Sequence, residues 1–334
     1  MTIGAWLRAA LLTAGCVLAA DAPAQVNVPR DASYRLADGS AYLVGDKALE
    51  PVLARLNALF VRQNPQVRFT MLLRDSPVGI DGIIAGVSVF APIARDAWEG
   101  EIDAFKRLYG YRPLDIRIAR IGHAASGREN PPGIYVNAAN PLLRLTIEEV
   151  GRIFTTGQRP SDLRHWSQLN VGGEWAKHSI HVYGTRDDGT QVTALRLARF
   201  GGRPFARHYE ALPGTGDVLE ALAGDRYGIG LVWGIDARRV PAGVRLVALS
   251  NEAGGAPSEG GYGDVRQGLY PLSPFAHIYV NAPPGQPLDP LAREYLRLAL
   301  SADGQRIIES GKDGAAGFVP LTAEEIARER AKIH

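Results

Sequence analysis

The sequence predicts an α/β protein, and three features support that fold class. Short apolar runs that are typical of strands alternate with segments whose apolar residues recur at helical spacing. The 334 residues are 46% hydrophobic and 22% charged, which is an ordinary globular composition and enough material for two domains. The 38 glycines and 22 prolines indicate many turns between short elements.

In the first part of the chain, strand patterns and helix patterns follow one another. A short apolar strand at 42–45 precedes a helix pattern, and Pro51 is compatible with that helix if it lies in the first turn. A second helix is predicted around 80–86. Further strands are predicted at 67–73, 88–94 and 114–123. The apolar face of the first helix is predicted to hold Leu49, Val52, Leu53, Leu56 and Phe60.

Two capping boxes of the form T-x-x-E mark helix starts later in the chain. Thr146 and Glu149 precede an amphipathic helix, which Gly157 is expected to end. Thr322 and Glu325 form the second box and predict a helix near the end of the sequence.

A polar turn from Arg186 to Thr190 joins a predicted strand to a predicted helix. Gly189 and Thr190 offer backbone N–H groups and a hydroxyl at the helix start, and Arg186 precedes them, which is the pattern of an anion-binding loop. Asp187 and Asp188 place two carboxylates in the same turn, so the loop either binds an anion or repels one. Two alternatives are that Arg186 pairs with one of these aspartates in a solvated turn and that Thr190 is a plain helix N-cap.

The helix after this turn is predicted to have one apolar face, with Arg196 and Arg199 on another. Two other junctions between a strand and a helix, at 45–47 and 75–79, also have small or polar residues. Open α/β sheets bind ligands at the carboxyl ends of their strands, so these junctions are candidate binding loops. The predicted apolar face consists of Ala194, Leu197, Ala198 and Gly201.

Charge and cysteine usage exclude several classes of function. The formal net charge is +2 with no run of Lys or Arg, which argues against nucleic acid as a partner. Cys16 is the only cysteine, so no disulfide, cysteine-based zinc site or thiol nucleophile is expected in the folded domain. His178 and His181 are three apart at a strand start, where that spacing puts them on opposite faces, and we predict no metal site.

Residues 1–24 have the pattern of a signal peptide. A basic residue and a short apolar run precede Ala-Pro-Ala at 22–24, which supplies small residues for cleavage before Gln25. The sequence therefore predicts a soluble protein exported to the periplasm, with no membrane span in the mature chain. The alternative reads Leu-Thr-Ala-Gly-Cys as a lipoprotein signal with a lipidated Cys16.

In their order and spacing, these motifs resemble the PstS-like phosphate-binding proteins of ABC importers, within the type II periplasmic-binding-protein superfamily. The landmarks run through almost the whole chain after the leader, and no single one is specific. They are YLVGDKALEPVLARLNALFVRQNP, RDSPVGIDGIIAG, VFAPIAR, NPLLRLTIEEVGRIFTTG, HWSQLNVGGEWAKHSIHVYGTRDDGT, GIGLV, LYPLSPFAHIYV and LALSADGQRIIESGKDGAAGFVPL.

The resemblance implies a Venus-flytrap fold of two lobes, each a mixed sheet flanked by helices, that close on a small anion. Lobe one would hold 31–135 and 268–334, and lobe two would hold 136–267. The resemblance further implies a monomeric solute-binding protein that feeds an ABC importer permease, is not an enzyme and needs no cofactor.

The ligand loops match the family pattern only in part. Asp188 stands at a serine position, and the first loop, which usually offers Ser or Thr in the family, reads Gly45-Asp46-Lys47 here. The family's acidic residue, which accepts the proton of hydrogen phosphate, falls at Val89. Further departures are Asp75 for glycine, Ala94 for serine and Pro274 for arginine, while Arg95 is retained. The resemblance implies ligand-binding roles for Arg186, Asp188, Gly189, Thr190, Ser76, Asp46 and Lys47.

Several of these residues have structural alternatives. Asp46 fits a cap of the helix that follows it, Lys47 fits a surface residue, and Ser76 before a proline fits an ordinary turn. Trp166, Trp175 and Trp233 are expected to be packing residues.

Three functions remain open at this point. The first is a binding protein for phosphate or a related oxyanion, in which Asp188 accepts the proton of a protonated anion. The second is an exported enzyme, although the sequence has no G-x-S-x-G, H-E-x-x-H or P-loop motif. The third is the same fold without anion binding, serving as a sensory or envelope-interaction module.

Overall fold

The computed structural model describes residues 26–187 and 190–333. Predictions that fall outside these residues are those on the leader at 1–24, on Gln25 and Cys16, and on Asp188 and Gly189.

Strands and helices alternate through the described residues, as the periodicity predicts. The strands are β1 (Ala41–Asp46), β2 (Phe69–Arg74), β3 (Ala91–Ile93), β4 (Leu114–Arg120), β5 (Gly133–Asn137), β6 (Arg144–Thr146), β7 (His181–Thr185), β8 (Tyr209–Leu212), β9 (Gly228–Val232), β10 (Val244–Ser250) and β11 (Phe275–Val280). The α-helices are α1 (Glu50–Gln63), α2 (Ser76–Ile84), α3 (Glu99–Tyr109), α4 (Ile147–Phe154), α5 (Thr190–Arg199), α6 (Thr215–Gly224), α7 (Tyr262–Arg266), α8 (Pro290–Ala299), α9 (Ala302–Glu309) and α10 (Ala323–Arg330).

These elements form two lobes. Lobe one holds β1 to β4, β11, α1 to α3 and α8 to α10. Its strands form a parallel pair, β1–β2, and a three-stranded sheet in the order β3–β11–β4, with β11 antiparallel to both neighbours. The buried cluster beneath α1 and α8 is aromatic: the Phe90 and Tyr295 rings lie 4.6 Å apart, and the Tyr295 hydroxyl donates to Asn57 Oδ1 at 2.7 Å. The Tyr295 hydroxyl is therefore satisfied although the side chain is fully buried.

Lobe two is built on a single six-stranded sheet. The strand order is β6–β10–β5–β9–β7–β8, with β5 antiparallel to β9 and β10, and β7 parallel to β8 and β9. Trp166 and Trp175 pack edge to face beside it at 6.1 Å, and both are buried, as predicted. The chain crosses between the lobes twice, from β4 to β5 and from α7 to β11. The predicted lobe boundaries within these crossings stay a prediction.

Most predicted elements are confirmed, with three corrections. Pro51 lies in the first turn of α1. In both T-x-x-E boxes the Thr side chain accepts from the backbone N–H of the Glu, and the Glu side chain accepts from the backbone N–H of the Thr. Gly157 does not end α4, which stops at Phe154; Gly157 instead takes a left-handed conformation in the turn that follows, with φ 74°. The helix α3 was not predicted.

The third correction concerns the face of α5 that packs on the core. Val192, Leu195 and Phe200 are buried, whereas Ala198 and Gly201 of the predicted apolar face are exposed. The buried face is therefore rotated relative to the prediction. Ala194 of the predicted face is also buried, whereas Ala198 lines a cavity between the lobes and Gly201 lies beyond the last residue of α5.

Candidate functional site

The two lobes and their crossings enclose a cavity of about 330 Å³, here called the interlobe cavity. It lies between the ends of β1, β3 and β4, the first residue of α2 and the C-terminal half of α5. A pocket of this size between two lobes is a common location for a small-molecule site. Its lining comprises Ala48, Ser76, Ala94, Arg95, Asp96, Ile121, Gly122, Glu129, Asn130, Pro131, Pro132, Ala194, Leu195, Ala198, Arg199, Trp233, Gly234, Leu272, Pro274, Ala315 and Ala316.

On the side of lobe one, three chain segments meet at the buried carboxylate of Asp46. The segments come together because β1 and β2 are parallel, so that Asp46 and Arg74 pair at the same sheet edge. Gly45 allows β3 to approach closely, since a Cβ at Gly45 would lie 2.5 Å from Pro92. The next residues along β3 and after β2 therefore lie within hydrogen-bonding distance of Asp46.

The Asp46 carboxylate accepts three hydrogen bonds. Oδ1 accepts from the Ala48 backbone N–H at 2.8 Å, which caps the 3-10 turn Lys47–Leu49 that leads into α1. Oδ2 accepts from the Ser76 hydroxyl and, at 3.3 Å, from the Ala94 backbone N–H. The interpretation of Asp46 as a helix cap is thus confirmed, and the structure adds two partners from other segments.

On the side of lobe two, α5 contributes an apolar surface and one cation. Ala194, Leu195 and Ala198 line the cavity beside Arg199. Arg199 Nη2 donates to the Ser273 carbonyl at 3.0 Å, and its guanidinium lies 5.8 Å from the centre of the Phe275 ring. Both contacts are with the second crossing and the strand that follows it, so Arg199 bridges the two lobes.

Burial lowers the pKa of Arg199 to about 10, and the neighbouring Arg120 and Arg117 act in the same direction, while Asp96 opposes them. The guanidinium is therefore still charged at neutral pH. Its recorded hydrogen bond to Ser273 uses one of five N–H groups. Arg199 thus brings a positive charge with further donors into the wall of the cavity.

The other arginine of the cavity, Arg95, is neutralised within lobe one. Its two terminal nitrogens bind both carboxylate oxygens of Glu101, at 2.6 and 2.9 Å. The guanidinium also lies 4.4 Å from the centre of the Trp98 ring. A buried, bidentate pair of this kind has a fixed geometry. Arg95 therefore forms part of the cavity wall, and its positive charge is balanced by Glu101.

Asp96 connects the cavity wall to the sheet of lobe one through a buried histidine. His277 Nδ1 lies 2.7 Å from Asp115 Oδ1, and Nε2 lies 3.7 Å from Asp96 Oδ1. Burial opposes the charged form of Asp115, but the adjoining imidazole holds the pKa of this carboxyl below its ordinary value. Of these two carboxylates, Asp96 lines the cavity, whereas Asp115 is not part of the described lining.

The predicted site residues take different places. Ser76 lines the cavity as the first residue of α2, and Asp46 is buried beside it. Lys47 and Arg186 are exposed and do not belong to the described lining. Thr190 is the first residue of α5. The ligand-binding roles of these residues stay predictions.

Positions at which the chain departs from the family pattern also fall into two groups. Ala94 and Pro274 line the cavity, whereas Val89 is 5% exposed and belongs to the hydrophobic core of lobe one. Trp233, which was expected to be a packing residue, packs against the core of lobe two and also lines the cavity.

Arg199 lines the cavity, although the sequence pattern did not select it as a site residue. The sequence placed it only on the charged face of the predicted helix. The pattern could not say that this face meets lobe one.

Two further properties were examined for the described residues. No group of three or more His, Cys, Asp or Glu side chains there is arranged to hold a metal ion. Within the same residues, no helix has both the length and the apolar character that a membrane span requires.

Comparison with known proteins relates the chain to phosphate-binding proteins. No family model matches it. The phosphate-binding protein PstS of Pseudomonas aeruginosa is 28% identical over 289 residues, which are 86% of this chain and 84% of that relative. The protein of the same name from Bacillus subtilis is 25% identical over 294 residues, covering 88% of this chain and 84% of the relative.

Solved structures show the same fold at lower identity. PstS from Borrelia burgdorferi superposes with a TM-score of 0.52 at 16% identity, over 85% of this chain and 99% of that one. An ABC-type phosphate transport receptor from Vibrio cholerae superposes with a TM-score of 0.50 at 15% identity, over 84% and 99%. In sequence, the chain is therefore similar to PstS phosphate-binding proteins, and it shares the two-lobed α/β fold of these solved structures.

Proposed function

We propose that this protein is an exported solute-binding protein that holds phosphate or a related small oxyanion between its lobes. The observation that carries the proposal is the Arg199 guanidinium, which is charged at neutral pH and lines the interlobe cavity of a PstS-like chain. A cation with donors in a partly enclosed pocket is what a small oxyanion requires.

The anion would be held mainly from lobe two. Arg199 supplies charge and hydrogen bonds from the last turn of α5. At the other end of this helix, the predicted loop would add backbone N–H donors from Gly189 and Thr190. Arg186 adds a second positive charge, and Asp188 accepts the proton of a protonated anion. Ser76 faces this group from lobe one.

Closure of the lobes would present the bound anion to an ABC importer permease. The related proteins are named as binding proteins and a transport receptor, which supports a binding role rather than catalysis. The alternative of a fold without anion binding is not favoured by these names.

Export follows from the leader pattern at 1–24. The mature protein would begin at Gln25 and act in the periplasm. The intact mass of the exported protein distinguishes this start from a lipidated Cys16, which would place the protein on a membrane instead.

Isothermal titration calorimetry with inorganic phosphate tests the binding function. We expect saturable binding of one phosphate per chain and much weaker binding of sulfate, because sulfate carries no proton for a carboxylate to accept. A rise in melting temperature with phosphate concentration should accompany it, since a ligand of the folded state stabilises that state. No heat and no thermal shift with either anion at millimolar concentration would contradict the proposal.

A further inference from the structure

We propose that Asp46 is a specificity-determining residue that competes with the ligand, because its carboxylate occupies the hydrogen-bond donors that lobe one would otherwise offer to an oxyanion. The inference rests on the proposed function, since it concerns the strength and selectivity of anion binding at the same cavity. It assigns to Asp46 a role opposite to that of a ligand-binding residue.

Three hydrogen-bond donors of lobe one meet at Asp46. Ala48, Ser76 and Ala94 all line the interlobe cavity, and all three donate to the carboxylate of Asp46. They come from three separate segments, after β1, β2 and β3. Asp46 itself is 9% exposed. A single internal carboxylate thus accepts one hydrogen bond from each of three segments that line the cavity.

The three donors have one hydrogen each, and all three hydrogens are directed at Asp46 rather than at a ligand. Each backbone N–H has one hydrogen, and the hydroxyl of Ser76 has one as well. Because Ser76 donates to Asp46 Oδ2, its oxygen presents lone pairs toward other partners. The N–H groups of Ala48 and Ala94 are likewise directed at Asp46. At these three positions lobe one therefore offers acceptors and negative charge where a bare oxyanion needs donors.

Capping alone does not account for the arrangement. The cap of the Lys47–Leu49 turn needs only the bond from Ala48 to Oδ1. The two bonds to Oδ2 come from Ser76 and Ala94, which belong to other segments and contribute nothing to that turn. Asp46 Oδ2 thus accepts hydrogen bonds from two donors of the protein, as an oxygen of a bound anion would.

The charge of Asp46 acts in the same direction as the loss of donors. A buried carboxylate repels a second anion at a distance of a few ångströms, and low local dielectric strengthens that repulsion. Arg199 on the opposite side must therefore carry most of the attraction. Phosphate binding should be weak in the wild-type protein, and it should improve when Asp46 is replaced by a neutral donor.

The test measures phosphate and sulfate affinities by calorimetry for the wild type, Asp46→Ser and Asp46→Asn. Serine removes the charge and frees the N–H of Ala94 and the hydroxyl of Ser76. Asparagine retains an oxygen for the cap at Ala48, while its amide donates to Ser76 and turns the serine proton toward the cavity. We expect both variants to bind phosphate at least 10-fold more tightly and to gain measurable binding of sulfate.

Asp75→Asn is the matched control. Asp75 is exposed, adjoins Ser76 and makes no side-chain cap hydrogen bond to α2. Its replacement removes the same charge near the cavity without releasing a donor, so its phosphate affinity should stay within about twofold of the wild type. An equal gain in this control would show that long-range charge, not the donor set, sets the affinity.

The outcomes separate this inference from the proposed function. If the wild type binds phosphate and neither Asp46 variant binds it more tightly while retaining wild-type circular dichroism, the competitor role is wrong and the binding function stands. If the wild type binds no anion and the variants gain phosphate binding, the competitor role is supported and the wild-type binding function fails. If no protein binds either anion, both are wrong. Asp46→Asn keeps the cap and decides the question should Asp46→Ser fold poorly.

Discussion

Arg199 and Asp46 hold opposite charges on opposite sides of one cavity. Arg199 belongs to α5 of lobe two, and Asp46 ends β1 of lobe one. Asp46 accepts three hydrogen bonds from donors of its own lobe. Arg199 uses one of its N–H groups to donate to the Ser273 carbonyl. In the proposed function, the balance between these two side chains would decide at the residue scale whether an anion is attracted.

We predict that Arg199→Ala weakens phosphate binding by about 10- to 100-fold. A hydrogen bond to a charged group contributes about 1.5–3 kcal/mol, and 1.4 kcal/mol corresponds to a factor of 10. In the wild type, affinity should also fall as pH rises through about 10, because the guanidinium loses its proton there. Calorimetric titration across this pH range provides the measurement. Arg297→Ala, on an exposed side chain of α8, is the control.

An unchanged dissociation constant in Arg199→Ala would contradict this assignment. Retention of affinity above pH 10 would point instead to another cation, such as Arg186.

At the scale of the element, the predicted capping box forms at the start of α4. Thr146 at the start of α4 accepts from the Glu149 N–H at 3.1 Å, and Glu149 Oε2 accepts from the Thr146 N–H at 2.8 Å. This reciprocal pair satisfies two groups that a helix start leaves without partners. The face of α5, by contrast, is decided by which other element it meets.

We predict that Thr146→Ala destabilises the protein by about 1 kcal/mol, because one capping bond is lost while the rest of α4 is unchanged. Urea unfolding followed by circular dichroism measures the difference. Glu148→Ala is the control on the same turn: Glu148 is exposed, and its contact with Arg152 is 3.7 Å long, so its loss should cost only a few tenths of a kcal/mol. Equal costs for the two variants would show that the cap is not what stabilises this helix.

At the scale of the whole molecule, the cavity belongs to neither lobe alone. Lobe one contributes the loops after β1, β2 and β3, and lobe two contributes α5, while the two crossings supply Asn130 and Leu272 among other lining residues. A change in the angle between the lobes would therefore change the size of the cavity. Two crossings form a natural hinge for such a movement.

We predict that saturating phosphate reduces the radius of gyration measured by small-angle X-ray scattering, because closure brings lobe two toward lobe one. Sodium chloride at matched ionic strength is the control and should leave the radius unchanged. If calorimetry shows binding while the radius remains constant, the lobes do not close on the ligand.

The sequence alone was sufficient for the features that depend on neighbours three or four residues apart. The strand at 42–45, the helix around Pro51 and both capping boxes appear where their patterns predict them. The cap at Asp46 belongs to the same group, because the residue and its N–H partner are two positions apart. The order of the motifs also predicted the two-lobed fold by resemblance.

Tertiary structure decided what these residues face. Asp46 lies 30 positions before Ser76 and 48 positions before Ala94 in the sequence, and Arg199 is farther still along the chain. Their meeting depends on the parallel pairing of β1 with β2, on the close approach that Gly45 allows, and on the packing of α5 toward lobe one. No local periodicity encodes such contacts, because they arise from the direction in which each element is packed. The sequence thus determined which charged side chains are present, and only the fold decided that a carboxylate of lobe one holds its own donors while an arginine of lobe two faces the cavity.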